Sequence, residues 1–174
     1  IMYEAIFIYN DTLIMLDILV RDGDKWRAIE VKSSLSLSET YYQDAALQYY
    51  VLNGCNVPIS DMQLMYINSN YIKHGDIDIN QLFVFESVKD YAEQQLYSID
   101  KKVNELKDVV NLNNAPKINI GPQCFYPYTC EFKGHCWKKI PNDNFLHTNA
   151  YSDKELFSIY NNGIQDNNNF KKII

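Results

Sequence analysis

No stretch of this sequence approaches the roughly 18 consecutive apolar residues that a membrane-spanning helix needs. No signal peptide opens it either, so we expect a cytoplasmic protein with no membrane partner. Basic residues are outnumbered, with 16 Lys and Arg against 22 Asp and Glu, giving a formal net charge of −6. Proteins that coat nucleic acid are usually basic, so this balance argues against passive coating. It does not exclude a nuclease, whose carboxylates bind cations.

Cysteine is also scarce, with four copies in 174 residues, three of them in one C-terminal stretch. A secreted disulfide scaffold scatters its cysteines through a shorter chain, so a cytosolic metal-binding cluster is the better prediction. The 47% hydrophobic content predicts a folded chain with a substantial core. Because the first residue is Ile1 rather than a methionine, we expect the natural N-terminus to lie upstream.

Apolar runs and turn signals predict most of the secondary structure. Three strands at residues 3–9, 12–20 and 25–32 are separated by turns at Asn10-Asp11 and at residues 22–24, which predicts an antiparallel meander. The later predicted elements are a helix over 39–53 ending at Gly54, strands at 62–68 and 82–86, a loop at 69–81, a long amphipathic helix over 88–110, a short helix at 152–163 and a frayed tail at 166–169.

Two carboxylates and a lysine form the sharpest pattern. Asp17 lies in an apolar strand, where an unpaired charge is costly. Glu30 and Lys32 are two residues apart on the next strand and share one face. Pairing these strands brings Asp17 near Glu30, and such a set can hold Mg²⁺ or Mn²⁺ and manage a water. The alternative is a buried salt bridge or an exposed sheet face.

The pattern D-x₁₂-E-V-K resembles the PD-(D/E)xK nuclease signature in its RecB-like branch. The resemblance implies an α/β (α+β), restriction-endonuclease-like mixed sheet flanked by helices. It also implies a metal-dependent, exonuclease-like deoxyribonuclease that acts on single strands or ends of DNA. In that family Asp17 and Glu30 would bind Mg²⁺ or Mn²⁺ together with the Val31 carbonyl, and Lys32 would assist the attacking water.

The same branch carries a Q-x-x-x-Y motif on the following helix, which this chain matches imperfectly over residues 42–50. We assign the glutamine of that motif to Gln48, with Asp44 as its neighbour on one helix face, and leave open which of the two contacts the active site. The family's upstream histidine has no counterpart and is expected before Ile1. Glu4 is either a further neighbour of the metals or a solvated glutamate.

The C-terminal cysteines follow the pattern Cys124-x₅-Cys130-x₅-Cys136. Thiolates suit iron–sulfur clusters or zinc. The triplet is similar to that of CRISPR-associated and helicase–nuclease RecB-like proteins, in which one upstream and three downstream cysteines hold a [4Fe–4S] cluster. We expect the fourth ligand outside this chain and Cys55 to be a buried apolar residue. His135 and His147 are alternative zinc ligands.

The surrounding residues, in the three patterns GPxC, PYxC and HCW, resemble an uncharacterised bacterial group that joins this nuclease domain to a DEDD-type exonuclease domain. The implied organisation is a nuclease core over 1–111 lacking its N-terminal part, a cysteine-rich segment over 112–150, and a C-terminal helix and tail over 151–174. An additional exonuclease domain is expected in the full-length protein. Two other functions stay open: a non-catalytic nucleic-acid-binding module of the same fold, and a zinc-stabilised interaction module.

Overall fold

The computed structural model describes residues 1–148 and 152–172, and the chain divides into two compact units, Ile1–Asn113 and Asn114–Ile174. The first unit is a five-stranded mixed sheet flanked by helices, as the sequence predicts for the fold class. Its strands are β1 (Met2–Tyr9), β2 (Thr12–Asp22), β3 (Lys25–Lys32), β4 (Ile59–Ile67) and β5 (Phe83–Ser87), in that order across the sheet. Its helices are α1 (Glu39–Gly54), α2 (Ile79–Leu82) and α3 (Lys89–Val110).

The meander predicted for the first three strands is confirmed. Asn10 and Asp11 both have positive φ, 48° and 57°, which matches the two-residue turn that best suits a twisted hairpin. Gly23 has a φ of 59° in the loop between β2 and β3. β3 then pairs in parallel with β4, and α1 provides the crossover that a parallel pair requires.

The core of the first unit lies between the sheet and helices α1 and α3. Leu16 of β2, Leu52 of α1 and Leu64 of β4 are fully buried there, and Ala92 of α3 packs with them. Leu13, the residue before the buried Ile14 on β2, is exposed. On β2 the buried positions are Ile14, Leu16 and Leu19, so the two-residue alternation is interrupted between Leu16 and Leu19.

Gly54 ends α1 at the position that the sequence predicts, for a reason that the sequence does not show. A Cβ atom on Gly54 would lie 2.2 Å from the ring of Tyr9. The glycine is therefore needed where the helix end meets β1, and its φ is not in the left-handed region.

Every helix among the described residues is too short or too polar to span a membrane.

The second unit contains α4 (Lys133–Trp137), α5 (Asp153–Asn161) and α6 (Asn167–Phe170), with 3₁₀ turns at Pro122–Cys124 and Phe145–His147. Its core draws on both the cysteine-rich segment and the C-terminal stretch, through Trp137, Phe145, Phe157 and Phe170. The predicted helix at 152–163 is confirmed as α5. The predicted frayed tail at 166–169 is wrong, because Asp166 accepts from the Asn169 backbone N–H at 2.9 Å and caps α6.

Candidate functional site

The sheet opens locally at Asp17. In the described structure, the β2–β3 ladder ends at the Ile18–Ile29 pair, and continuing that register would set Asp17 opposite Glu30. On the other side, the β1–β2 ladder passes from the Tyr3–Ile18 pair to the Ala5–Leu16 pair and skips the Glu4–Asp17 position. Asp17 therefore lies where backbone pairing is interrupted on both sides of β2.

The Asp17 carboxylate takes over one of the interrupted backbone contacts. Its Oδ2 accepts a hydrogen bond from the Val31 backbone N–H at 2.7 Å. Asp17 is thus fixed directly beside the Glu30-Val31-Lys32 strand end. Asp17 contacts Val31, and Lys32 contacts Glu30, while the predicted roles of these residues in metal binding and catalysis stay predictions.

Glu30, Lys32 and Gln48 form the buried part of the site. Lys32 Nζ donates to Glu30 Oε1 at 2.7 Å, and their side chains are only 15% and 10% exposed. Gln48 of α1 is also buried and lies close enough to Glu30 to influence its ionisation. Among the described residues, neither Glu30 Oε2 nor Gln48 Oε1 has a hydrogen-bond partner. The buried Glu30 Oε2 is therefore available to a cation or a water.

Burial and ion pairing shift the pKa values of Glu30 and Lys32 in opposite directions. Burial raises the pKa of the Glu30 carboxyl, while Lys32 and Gln48 lower it only in part and the nearby Asp17 charge raises it further. Burial lowers the pKa of Lys32, but hydrogen bonds to Asp44 and Glu30 outweigh it, so the net shift is upward. A cation beside Glu30 would favour the charged carboxylate that burial disfavours.

The sequence names Asp44 as a candidate beside Gln48, but it does not predict that Asp44 contacts Lys32. Its Oδ2 accepts from Lys32 Nζ at 2.5 Å, so Lys32 bridges a carboxylate of β3 and one of α1. The Lys32 ammonium also lies 5.3 Å from the centre of the Tyr41 ring. The available signal was the spacing of Asp44 and Gln48, which places both on the helix face that meets the lysine strand.

Two carboxylates, those of Asp17 and Glu30, are the candidate ligands for a hard divalent cation. Among the described residues, no group of three or more His, Cys, Asp or Glu side chains is arranged to hold a metal ion. A cation here would therefore rest on Asp17 and Glu30 plus backbone and water oxygens. Mg²⁺ is commonly held by one or two carboxylates while it keeps several waters, and the unpaired Glu30 Oε2 supplies the required lone pairs.

The three cysteines of the second unit do not form a metal-binding group in this structure. Cys124 is buried, Cys130 is half-buried and Cys136 is exposed, and all three are free thiols. The described residues contain no metal-holding group formed by them. The three thiols as placed do not fit an iron–sulfur cluster, and cluster binding stays a prediction.

The remaining candidate residues from the sequence are Glu4, Cys55, His135 and His147. Glu4 is exposed, with a φ of 51° at the skipped ladder position facing Asp17. Cys55 is half-buried rather than buried, and its thiol donates to the Ile8 carbonyl at 3.3 Å. His135 and His147, the alternative zinc ligands, are both exposed.

Comparisons of the chain with protein-family models, with curated proteins and with solved structures return no match.

Proposed function

We propose that this chain is a divalent-metal-dependent nuclease domain of the PD-(D/E)xK kind, with a restriction-endonuclease-like fold, acting on single strands or ends of DNA. The observation that carries the proposal is the convergence of Asp17, Glu30, Lys32 and Gln48 at the point where the sheet opens. A buried lysine–carboxylate pair on its own would leave Asp17 and the unpaired Glu30 Oε2 unexplained.

Each side chain has a task in phosphodiester hydrolysis. A divalent cation, when bound, lowers the pKa of water and offsets the charge that develops on the phosphate. Asp17 and Glu30 would hold that cation, and the Val31 N–H keeps the Asp17 carboxylate turned toward the strand end. Lys32 would donate a hydrogen bond to the attacking water or to a phosphate oxygen. Gln48 would orient the Glu30 carboxylate.

The charge of the site supports cation binding rather than direct phosphate binding. The site holds three carboxylates and one ammonium: Lys32 contacts Glu30 and Asp44, and Asp17 lies near enough to Glu30 to affect its ionisation. An acidic site repels DNA phosphates unless cations are bound, so DNA binding and cleavage should both depend on the metal.

The test is cleavage of linear and circular DNA, each single- and double-stranded, in Mn²⁺, Mg²⁺ or EDTA. The proposal predicts cleavage in Mn²⁺ or Mg²⁺, none in EDTA, and preference for linear single strands. Metal-dependent binding without cleavage would instead support the non-catalytic module, and zinc binding without either would support the interaction module.

Iron–sulfur binding by Cys124, Cys130 and Cys136 together with a fourth ligand outside this chain is a separate proposal that rests on their spacing. It assigns no step of the cleavage reaction to the cluster. Iron and sulfide content after anaerobic reconstitution, measured on this chain and on a longer one that includes upstream sequence, tests it; the proposal predicts a full cluster only in the longer chain. Cysteine-to-serine variants at the three positions should lose any iron that the chain binds.

A further inference from the structure

Lys32 is held by two carboxylates from different elements. Glu30 Oε1 on β3 lies 2.7 Å from the Lys32 ammonium nitrogen, and Asp44 Oδ2 on α1 lies 2.5 Å from it. Asp44 is the more exposed partner, with 40% of its side chain accessible against 10% for Glu30. In the proposed site, Glu30 would contact both Lys32 and the cation. In the ion pairs described, Asp44 contacts Lys32 alone.

A shared carboxylate creates a competition. Glu30 cannot give its full charge to a divalent cation while it is ion-paired with Lys32, since both positive groups seek the same oxygens. If Asp44 were absent, Glu30 would be the only carboxylate ion-paired with this ammonium in the described structure. A buried ammonium without a counter-charge is costly, so the lysine would then hold Glu30 more tightly.

We propose that Asp44 is a positioning residue that keeps Lys32 in place when Glu30 engages the divalent cation, an inference that rests on the proposed metal site. Asp44 acts through Lys32 and does not itself bind the cation. It lowers the cost of separating Lys32 from Glu30, and it leaves the ammonium beside the cation rather than free to swing away. The Tyr41 ring, 5.3 Å from the ammonium, supports the same position.

The test is a double-mutant cycle on Mn²⁺ binding, measured by titration calorimetry without DNA. The proteins are the parent, Asp44→Asn, Lys32→Met and the double variant, with folding checked by circular dichroism. Asp44→Asn should weaken Mn²⁺ binding on the order of tenfold, the scale of one charge-assisted contact. Lys32→Met should strengthen binding, because it removes the competing ammonium.

The double variant shows whether Asp44 acts on Mn²⁺ binding through Lys32 or directly. If Asp44 acts through Lys32, adding Asp44→Asn to Lys32→Met should change Mn²⁺ affinity no more than Glu39→Gln does. Glu39→Gln removes one carboxylate from the first turn of the same helix and measures the general effect of charge. Asp44→Glu should restore most of the parent affinity, since it restores the charge.

Two results overturn the inference while leaving the metal site intact. One is an equal loss of affinity from Asp44→Asn with and without Lys32, which would make Asp44 a direct ligand. The other is an Asp44→Asn effect no larger than that of Glu39→Gln. A folded parent protein that binds no Mn²⁺ would instead overturn the proposed metal site, and this inference with it.

Discussion

The Asp17 carboxylate accepts the Val31 backbone N–H at 2.7 Å, at the point where the ladder between their two strands has ended. A side chain therefore takes the place of a backbone carbonyl and joins β2 to the end of β3. The same contact places Asp17 beside Glu30, near enough for its charge to raise the pKa of that carboxyl. The hydrogen bond from Val31 therefore joins β2 to β3 where their backbone pairing ends, and it also brings the Asp17 carboxylate close to that of Glu30.

Glu30→Gln and Lys32→Met should both abolish cleavage but differ in stability. Glu30→Gln leaves Lys32 paired with Asp44, so the free energy of unfolding should change by less than about 1 kcal/mol. Lys32→Met leaves a buried carboxylate without its ammonium and should cost about 1–3 kcal/mol. Urea denaturation of both variants at neutral pH measures the difference. Equal stability of the two would show that a Glu30 carboxylate without its ammonium has no extra cost in the folded protein.

Tyr49 should make the protein sensitive to alkali. Burial, with a hydrogen bond donated to Glu93 Oε1 at 3.0 Å, raises the pKa of Tyr49 to about 12. The unfolded chain ionises this phenol near pH 10, as an ordinary tyrosine does. Its contribution is therefore fully present below about pH 10 and is lost as pH rises toward 12.

The Tyr49→Phe variant should lose less stability than the parent between pH 9 and 11, because only the parent carries this linkage. Urea denaturation at a series of pH values provides the measurement. Tyr97→Phe is the matched control, since Tyr97 is 83% exposed on α3 and should follow the parent curve. Parallel curves for Tyr49→Phe and the parent would contradict the assigned shift.

Leu52 should be one of the costliest single residues to truncate. It is fully buried on α1, and Leu52→Ala should lower the free energy of unfolding by about 2–5 kcal/mol through lost contacts and a residual cavity. Leu106→Ala is the matched control, because Leu106 is a helical leucine that is 56% exposed. Comparable losses in the two variants would mean that the core is not centred where the structure places it.

The sequence was sufficient for features that depend on neighbours along the chain. The hairpin at Asn10-Asp11 and the helix over residues 88–110 follow from turn chemistry and apolar periodicity. The approach of Asp17 to Glu30 also follows, because one short turn joins their strands. Each of these predictions required only the local pattern of residues.

Features that join distant segments could not be read in the same way. The Asp44–Lys32 ion pair depends on how α1 crosses the sheet, which periodicity does not specify. The close approach of Gly54 to Tyr9 and the packing of Phe170 against Phe145 depend on three-dimensional packing. The helical turn capped by Asp166 was missed because its polar composition hid a recognisable N-cap residue.

The most direct measurement is single-turnover cleavage of end-labelled single-stranded DNA in Mn²⁺ by the parent protein and by Asp17→Asn. Asn keeps the size of the side chain but cannot offer a carboxylate to a cation, so the rate should fall by about a hundredfold or more. Circular dichroism should show that both proteins are folded. Cleavage by the parent that disappears in EDTA and in Asp17→Asn is the predicted result. A folded parent that leaves the DNA intact in Mn²⁺ and in Mg²⁺, or an Asp17→Asn variant that cuts as fast as the parent, would contradict the assignment.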